Sequence, residues 1–181
     1  MVILRCTKKL LTRLGLPADP RAESSSTILG DWYADILFAY RRQVVLCVSE
    51  NARVPIVLPA RELRTLDKRL PVALGLLLSD LQVSQSAISR ELAAMATLKV
   101  GTTASRSILG TVNDFAIAIT RALAEDPDIN LHQLTLHLNE TPVGPLKYEN
   151  PGEVARQLFG GSKPHERSLP APPQKTHARC F

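Results

Sequence analysis

LGDWYADILFAYRRQVVLCVS, residues 29–49, is the stretch whose reading decides the fold. It holds the only Trp, two of the three Tyr and the densest β-favouring run in the chain. Trp32, Ala34, Ile36, Phe38 and Tyr40 alternate with Tyr33, Asp35, Leu37 and Ala39. Both sets are largely apolar, so a strand here would be covered on both faces. A helical stripe through 32, 33, 36, 37 and 40 fits the same letters, and periodicity alone does not decide. Aromatic enrichment and the β-branched run QVVLCVS that follows favour a hairpin over 32–49. Its turn, 40–43, has neither Gly nor Asn, so a connection longer than two residues is expected.

Outward from the hairpin, 2–6 reads as a first strand. Thr7 can cap a helix over 8–14 that Gly15 and Pro17 end. Residues 17–28 form a loop. Val54 to Leu58, with Pro55 and Pro59 beside it, reads as an edge strand. From 60 to 97 the period changes to helical. Leu63, Leu66 and Leu70 mark one helix, Pro71 opens a second, and Ser84 caps a third. Residues 98–103 read as a last strand, and Ser105 or Ser107 caps a long helix to about 124. Helices at 130–139 and 151–159 follow. The fold class is α+β, a small, mainly antiparallel sheet packed against several helices. One domain over 1–160 and a disordered, basic, Pro-rich tail over 161–181 are expected.

The formal charge of +5 is unevenly placed. Residues 1–70 carry 12 basic against 7 acidic residues, 71–160 carry 6 against 9, and 161–181 carry 4 against 1. A surface for polyanions, if the chain has one, therefore belongs to the first third or the tail. Arg41 and Arg42 at the hairpin tip, with Lys8, Lys9 and Arg13 on the first helix, could form such a face. The bland reading is a solvated turn and helix surface. Cys6, Cys47 and Cys180 have no CxxC spacing, and the first two sit in apolar runs as small hydrophobes. A cytoplasmic setting follows. No run approaches the roughly 20 residues of a membrane helix, so no membrane partner is expected.

Residues 76–95, LLLSDLQVSQSAISRELAAM, resemble the helix-turn-helix of the repressor and Cro type. Ser84, Gln85, Ser86, Ser89 and Arg90 would then face base edges in the major groove. Gln82 stands where Gly is usual, Leu78 where Ala is usual, and this third of the chain is net acidic. The competing reading is two core helices with a capped turn. Catalytic constellations are thin. His132 and His137 are five apart, off the i, i+4 spacing of a metal pair, and no metal or cofactor is expected. Neither a phosphate-binding loop nor a nucleophile elbow occurs.

Three segments together resemble a family of small bacterial proteins known as a domain of unknown function. They are RCTKKLLTRLGLP, LGDWYADILFAYRRQVVLCVSEN, and SRSILGTVNDFA with HLNETPVGPLKY, spanning about 3–160. The family pattern of Arg-Ser-hydrophobic-Leu-Gly before Asn-Asp falls on Arg106, Ser107, Ile108, Leu109, Gly110, Asn113 and Asp114. The resemblance carries no assigned activity, and it implies no repressor-like helices. The expected function is a non-enzymatic interaction or regulatory protein of the bacterial cytoplasm, with a protein or nucleic acid as its partner. Arg41, Arg42, Arg106, Asn113 and Asp114 are its candidate binding residues. DNA binding through 76–95 is the alternative. An enzyme with a dispersed polar site near Asp31, Trp32 and Asn113 is the second alternative.

Overall fold

The computed structural model describes residues 1–19, 24–61 and 63–161. The chain runs β1 (Val2–Cys6), α1 (Lys8–Leu14), β2 (Trp32–Ala39), β3 (Arg42–Ser49) and β4 (Pro55–Pro59). It continues through α2 (Leu66–Asp80), α3 (Gln85–Ala94), β5 (Leu98–Thr102), α4 (Arg106–Glu125), α5 (Leu131–Asn139) and α6 (Pro151–Leu158). The fold is α+β, a five-stranded sheet in the order β4-β3-β2-β1-β5 with helices on both faces. β1 pairs in parallel with β2 and β5, while β2–β3 and β3–β4 are antiparallel. The hairpin ladder, eight residue pairs long, is the longest, and antiparallel pairing predominates. The expected tail lies outside the described residues beyond Gly161.

β2 is the central strand, and its alternation explains the layers. Trp32, Ala34 and Ile36 enter one core with Val2, Leu4 and Cys6 of β1 and the leucines of α1 and α2. Tyr33, Leu37 and Ala39 enter the other, under Ile108, Val112, Phe115 and Ile119 of α4. Thr7 and Ser105 accept the capping bonds of α1 and α4. The edge of β4 is closed by side chains, because Thr135 Oγ1 accepts from Val57 N and Asn139 Nδ2 donates to the Pro55 carbonyl. Such capping removes a template for edge-to-edge pairing.

Two expectations are corrected. Pro71 does not open a helix, because α2 runs through it from Leu66 to Asp80. Leu66, Leu70, Leu74, Leu77 and Leu78 form one buried stripe, and that packing overrides the single backbone bond a proline removes. The hairpin turn is not long either. Ala39 pairs with Arg42, leaving Tyr40 and Arg41 alone in the connection. Tyr40 supplies the left-handed residue, at φ +53°, that Gly or Asn would normally provide.

Burial pushes the Cys6 thiol up to about 12 and raises that of Cys47 further, so both behave as small core hydrophobes. Among the described residues no helix is long and apolar enough to cross a membrane.

Residues 24–31 are held beside the first half of β1, where β2 has not yet begun to pair. Ser25 Oγ accepts from Ile3 N, and Ser26 N donates to the Met1 carbonyl. Gly30, at φ +76°, turns this segment into β2, and a Cβ there would meet Asn51 and Glu50 at 3.1 Å. Asp31 fixes it. Its Oδ2 accepts from Arg5 Nε at 2.5 Å, and its Oδ1 accepts from the Ser25 N–H and hydroxyl. The two side chains are 11% and 3% exposed. Removing one partner of a buried ion pair costs about 3–5 kcal/mol, because the other charge is left desolvated. Arg5→Met and Asp31→Ala should each lower the urea-unfolding free energy by about that amount, and the double variant by much less than the sum. A cost below about 1 kcal/mol for either single change would show that this pair does not hold the segment.

Candidate functional site

Beyond Ala34, β2 loses β1 as a neighbour, since the last β1–β2 pair is Cys6 with Ala34. Thr7 turns the chain there. Its N–H donates to the Ala34 carbonyl, its hydroxyl donates to Asp35 Oδ1, and it caps α1 through Leu10 N. The outer half of β2 is therefore flanked by a helix. Phe38 continues the Trp32, Ala34, Ile36 row, but at this distance it meets the polar side of α1. Lys9 Nζ lies 4.6 Å from its ring centroid and the Arg13 guanidinium 5.7 Å. Arg13 also donates to Gln43 Oε1, the residue opposite Phe38 in the ladder. Phe38 is still 53% exposed and Tyr40, at the tip, 65%. The Arg41 guanidinium lies 5.6 Å from the Tyr40 ring.

Arg41 and Arg42 do different things. Arg42 Nη1 donates to the carbonyls of Pro127 and Ile129, pinning the α4–α5 connection to the hairpin. Arg41 is exposed. Beside it an open cleft of about 530 Å³ is lined by Arg41, Arg42, Gln43, Pro59, Ala60 and Arg61. Arg69 stiffens its far wall by donating to the Pro59 and Arg61 carbonyls. The tip thus gathers exposed Lys9, Arg13 and Arg41 around two exposed rings, with exposed Arg61 across the adjoining cleft. Cations over ring faces gain about 0.5–1 kcal/mol at exposed sites, which orders the long side chains before any ligand arrives.

The other candidates lie elsewhere. Arg106 is the first residue of α4, a helix about 30 Å long whose far end is the one Arg42 holds. Asn113 and Asp114 are exposed about midway. The five predicted binding residues are therefore not one site, and only Arg41 and Arg42 adjoin the cleft. Near Arg106 the packing is structural. Arg53 donates to the Glu50 carbonyl and, at 3.5 Å, to Ser107 Oγ. Asp31 is tied to Arg5, Trp32 lies in the opposite core, and Asn113 is exposed on α4. His132 pairs with Asp80 at 2.7 Å across α5 and α2, and no group able to hold a metal occurs among the described residues.

α2 and α3 form the expected helix pair. Gln82 takes the left-handed turn position at φ +59°, although it is not Gly. Ser84, Gln85, Ser86, Ser89 and Arg90 are exposed, while Ala87, Ile88 and Glu91 face inward. Ser84 stands at the cap position without a side-chain capping bond. The close approach of the pair falls at Gly75, where a Cβ would meet Leu92 at 3.2 Å, rather than at Leu78.

Sequence reasoning missed Phe38, Tyr40, Arg61 and Glu91. Phe38 gave no signal, because its place in the apolar row reads as burial and the β1–β2 register that exposes it is a tertiary feature. Glu91 gave none, because a helical Glu reads as a solvated residue. Its carboxylate instead accepts the Ile28 and Leu29 N–H groups and is 2% exposed. Burial raises its pKa, and the two N–H bonds oppose this only in part. An acid with a raised folded-state pKa lends stability that is full below its ordinary range and is lost as pH climbs through the raised value. Glu91→Gln mimics the protonated acid and does not titrate. Its urea midpoint should therefore gain on the wild type as pH rises from about 4 to about 8. A difference between the two that stays constant over that span would mean that desolvation does not govern this carboxyl.

No curated protein and no solved structure matches the chain. A family model described as Domain of unknown function (DUF6933) matches residues 3–154, which include all of β1 but its first residue, the elements from α1 to α5, the hairpin tip and the cleft beside it. The chain belongs to that family of uncharacterised domains.

Proposed function

We propose that this chain is a non-enzymatic interaction protein that binds a polyanionic partner at the β2–β3 tip. The observation that carries the reading is the stacking of Lys9 and Arg13 on an exposed Phe38 ring beside Tyr40 and Arg41. Clustered cations on a rigid edge favour phosphate- or carboxylate-rich ligands, and Arg adds planar, bidentate geometry. The strained tip supports the same reading. A non-Gly residue at positive φ costs on the order of 1–3 kcal/mol, and such strain clusters at ligand clamps. Tyr40 returns little of that in packing, since most of its ring is open. A cytoplasmic setting belongs to the proposal, supported by two buried free thiols.

Heparin binding over a salt series tests the reading. Retention should fall steeply with salt. Lys9→Ser and Arg41→Ser should each weaken it while costing no more than about 1 kcal/mol of stability, the worth of the exposed cation–ring contact each removes. Arg42→Ser should instead cost stability, about 1.5–3 kcal/mol for a charged donor removed from two carbonyls. Absence of binding at low salt would overturn the proposal.

A second reading, DNA binding through α2 and α3, is favoured by the left-handed Gln82 turn and the five exposed candidate side chains. Of those five side chains only Arg90 is a cation. A mobility shift on duplex DNA that Arg90→Ala abolishes and Arg41→Ser leaves intact would put this reading in place of the first.

A further inference from the structure

We infer that the polyanion held at the tip is single-stranded nucleic acid, with bases stacked on Phe38 and Tyr40 and phosphates held by Lys9, Arg13, Arg41 and Arg61. This deepens the polyanion reading and rests on it. Cations alone would serve any anion, but the rings narrow the choice. Aromatic side chains interleaved with basic ones make a stacking platform for unpaired bases, whose π-faces are open. A duplex hides its base faces, so it could use the cations and leave both rings idle. Phosphoserine and phosphothreonine side chains and anionic lipid headgroups likewise offer nothing flat to stack.

The geometry suits successive bases. Phe38 and Tyr40 are two residues apart, roughly 7 Å along the chain, so each ring can take its own base. The backbone that carries both rings is held in place. Phe38 is fixed by its place in the eight-pair ladder and by the two cations, and Tyr40 by a two-residue turn. The cleft lined by Arg41 and Arg61 adjoins the tip and would take the continuing backbone.

The test is fluorescence anisotropy of the full chain with a labelled oligo-dT of about 20 nucleotides. A duplex of equal length, unlabelled heparin as competitor, and phosphatidylserine vesicles complete the set. Oligo-dT should bind at least about tenfold more tightly than duplex at equal salt. Phe38→Leu and Tyr40→Gly should each cost roughly five- to one-hundred-fold for oligo-dT, and little for duplex or heparin. Tyr40→Gly relieves the positive φ, so its unfolding midpoint should hold or rise, which separates lost binding from lost fold. Equal binding of oligo-dT, duplex and heparin, indifferent to both ring variants, would overturn the stacking inference and leave the polyanion reading standing. Vesicle binding without oligo-dT binding would overturn it in favour of a membrane surface. No binding to any probe at low salt would remove both.

Discussion

The buried pair of Arg5 and Asp31 is what the rest of the arrangement depends on. Desolvating a guanidinium and a carboxylate costs several kcal/mol each, and attraction alone does not offset it unless the remaining hydrogen-bonding positions are filled. Here Asp31 accepts three donors, two of them from Ser25, and Arg5 also donates to the Thr102 carbonyl at the end of β5. One ion pair thus joins β1, β5, the 24–31 segment and the start of β2. Ser25 in turn accepts from Ile3, so the segment substitutes for β2 beside the first half of β1. The offset between β1 and β2 has this origin: β2 starts late against β1 and must therefore run past its end.

That offset produces the hairpin tip. Five residues of β2, Asp35 to Ala39, extend past the last β1 pair, where Thr7 places α1 against them. A strand neighbour would have offered Phe38 an apolar row and buried it. The helix offers Lys9 and Arg13 instead. The sheet frame converts a core position into a half-covered ring under two cations, with no change in the residue pattern of the strand.

This explains what the letters could and could not disclose. Aromatic enrichment in 32–40 and the β-branched run after it favoured strands where periodicity alone left strand and helix open, and the leucine periods marked the helices, because burial imprints its own period. The edge character of β4 was legible from Pro55 and Pro59. Pro71 misled, because a lost backbone bond is a local signal and the five-leucine stripe of α2 is a tertiary one. The turn misled for the opposite reason. Turn chemistry predicts the least strained connection, and the eight-pair ladder imposed a tighter one on Tyr40. The basic face around Lys9, Arg13 and Arg41 was visible as charge. The rings within it were not, because exposure of Phe38 depends on where β1 stops.

The division of labour between Arg41 and Arg42 follows from the same tight turn. In a two-residue connection, the residue after the turn re-enters the ladder and the one before it stays outside. Arg42 pairs with Ala39 and reaches the α4–α5 carbonyls, so its charge serves the fold. Arg41 keeps its guanidinium beside Tyr40 and available to a ligand. A longer, Gly-containing loop would relax Tyr40, but it would let both rings and Arg41 sample many positions. Ordering a mobile loop on binding costs about 0.5–1.5 kcal/mol for each rotamer-rich side chain, comparable to the strain the tight turn imposes. Strain accepted in the free protein therefore replaces entropy that would be lost in the complex.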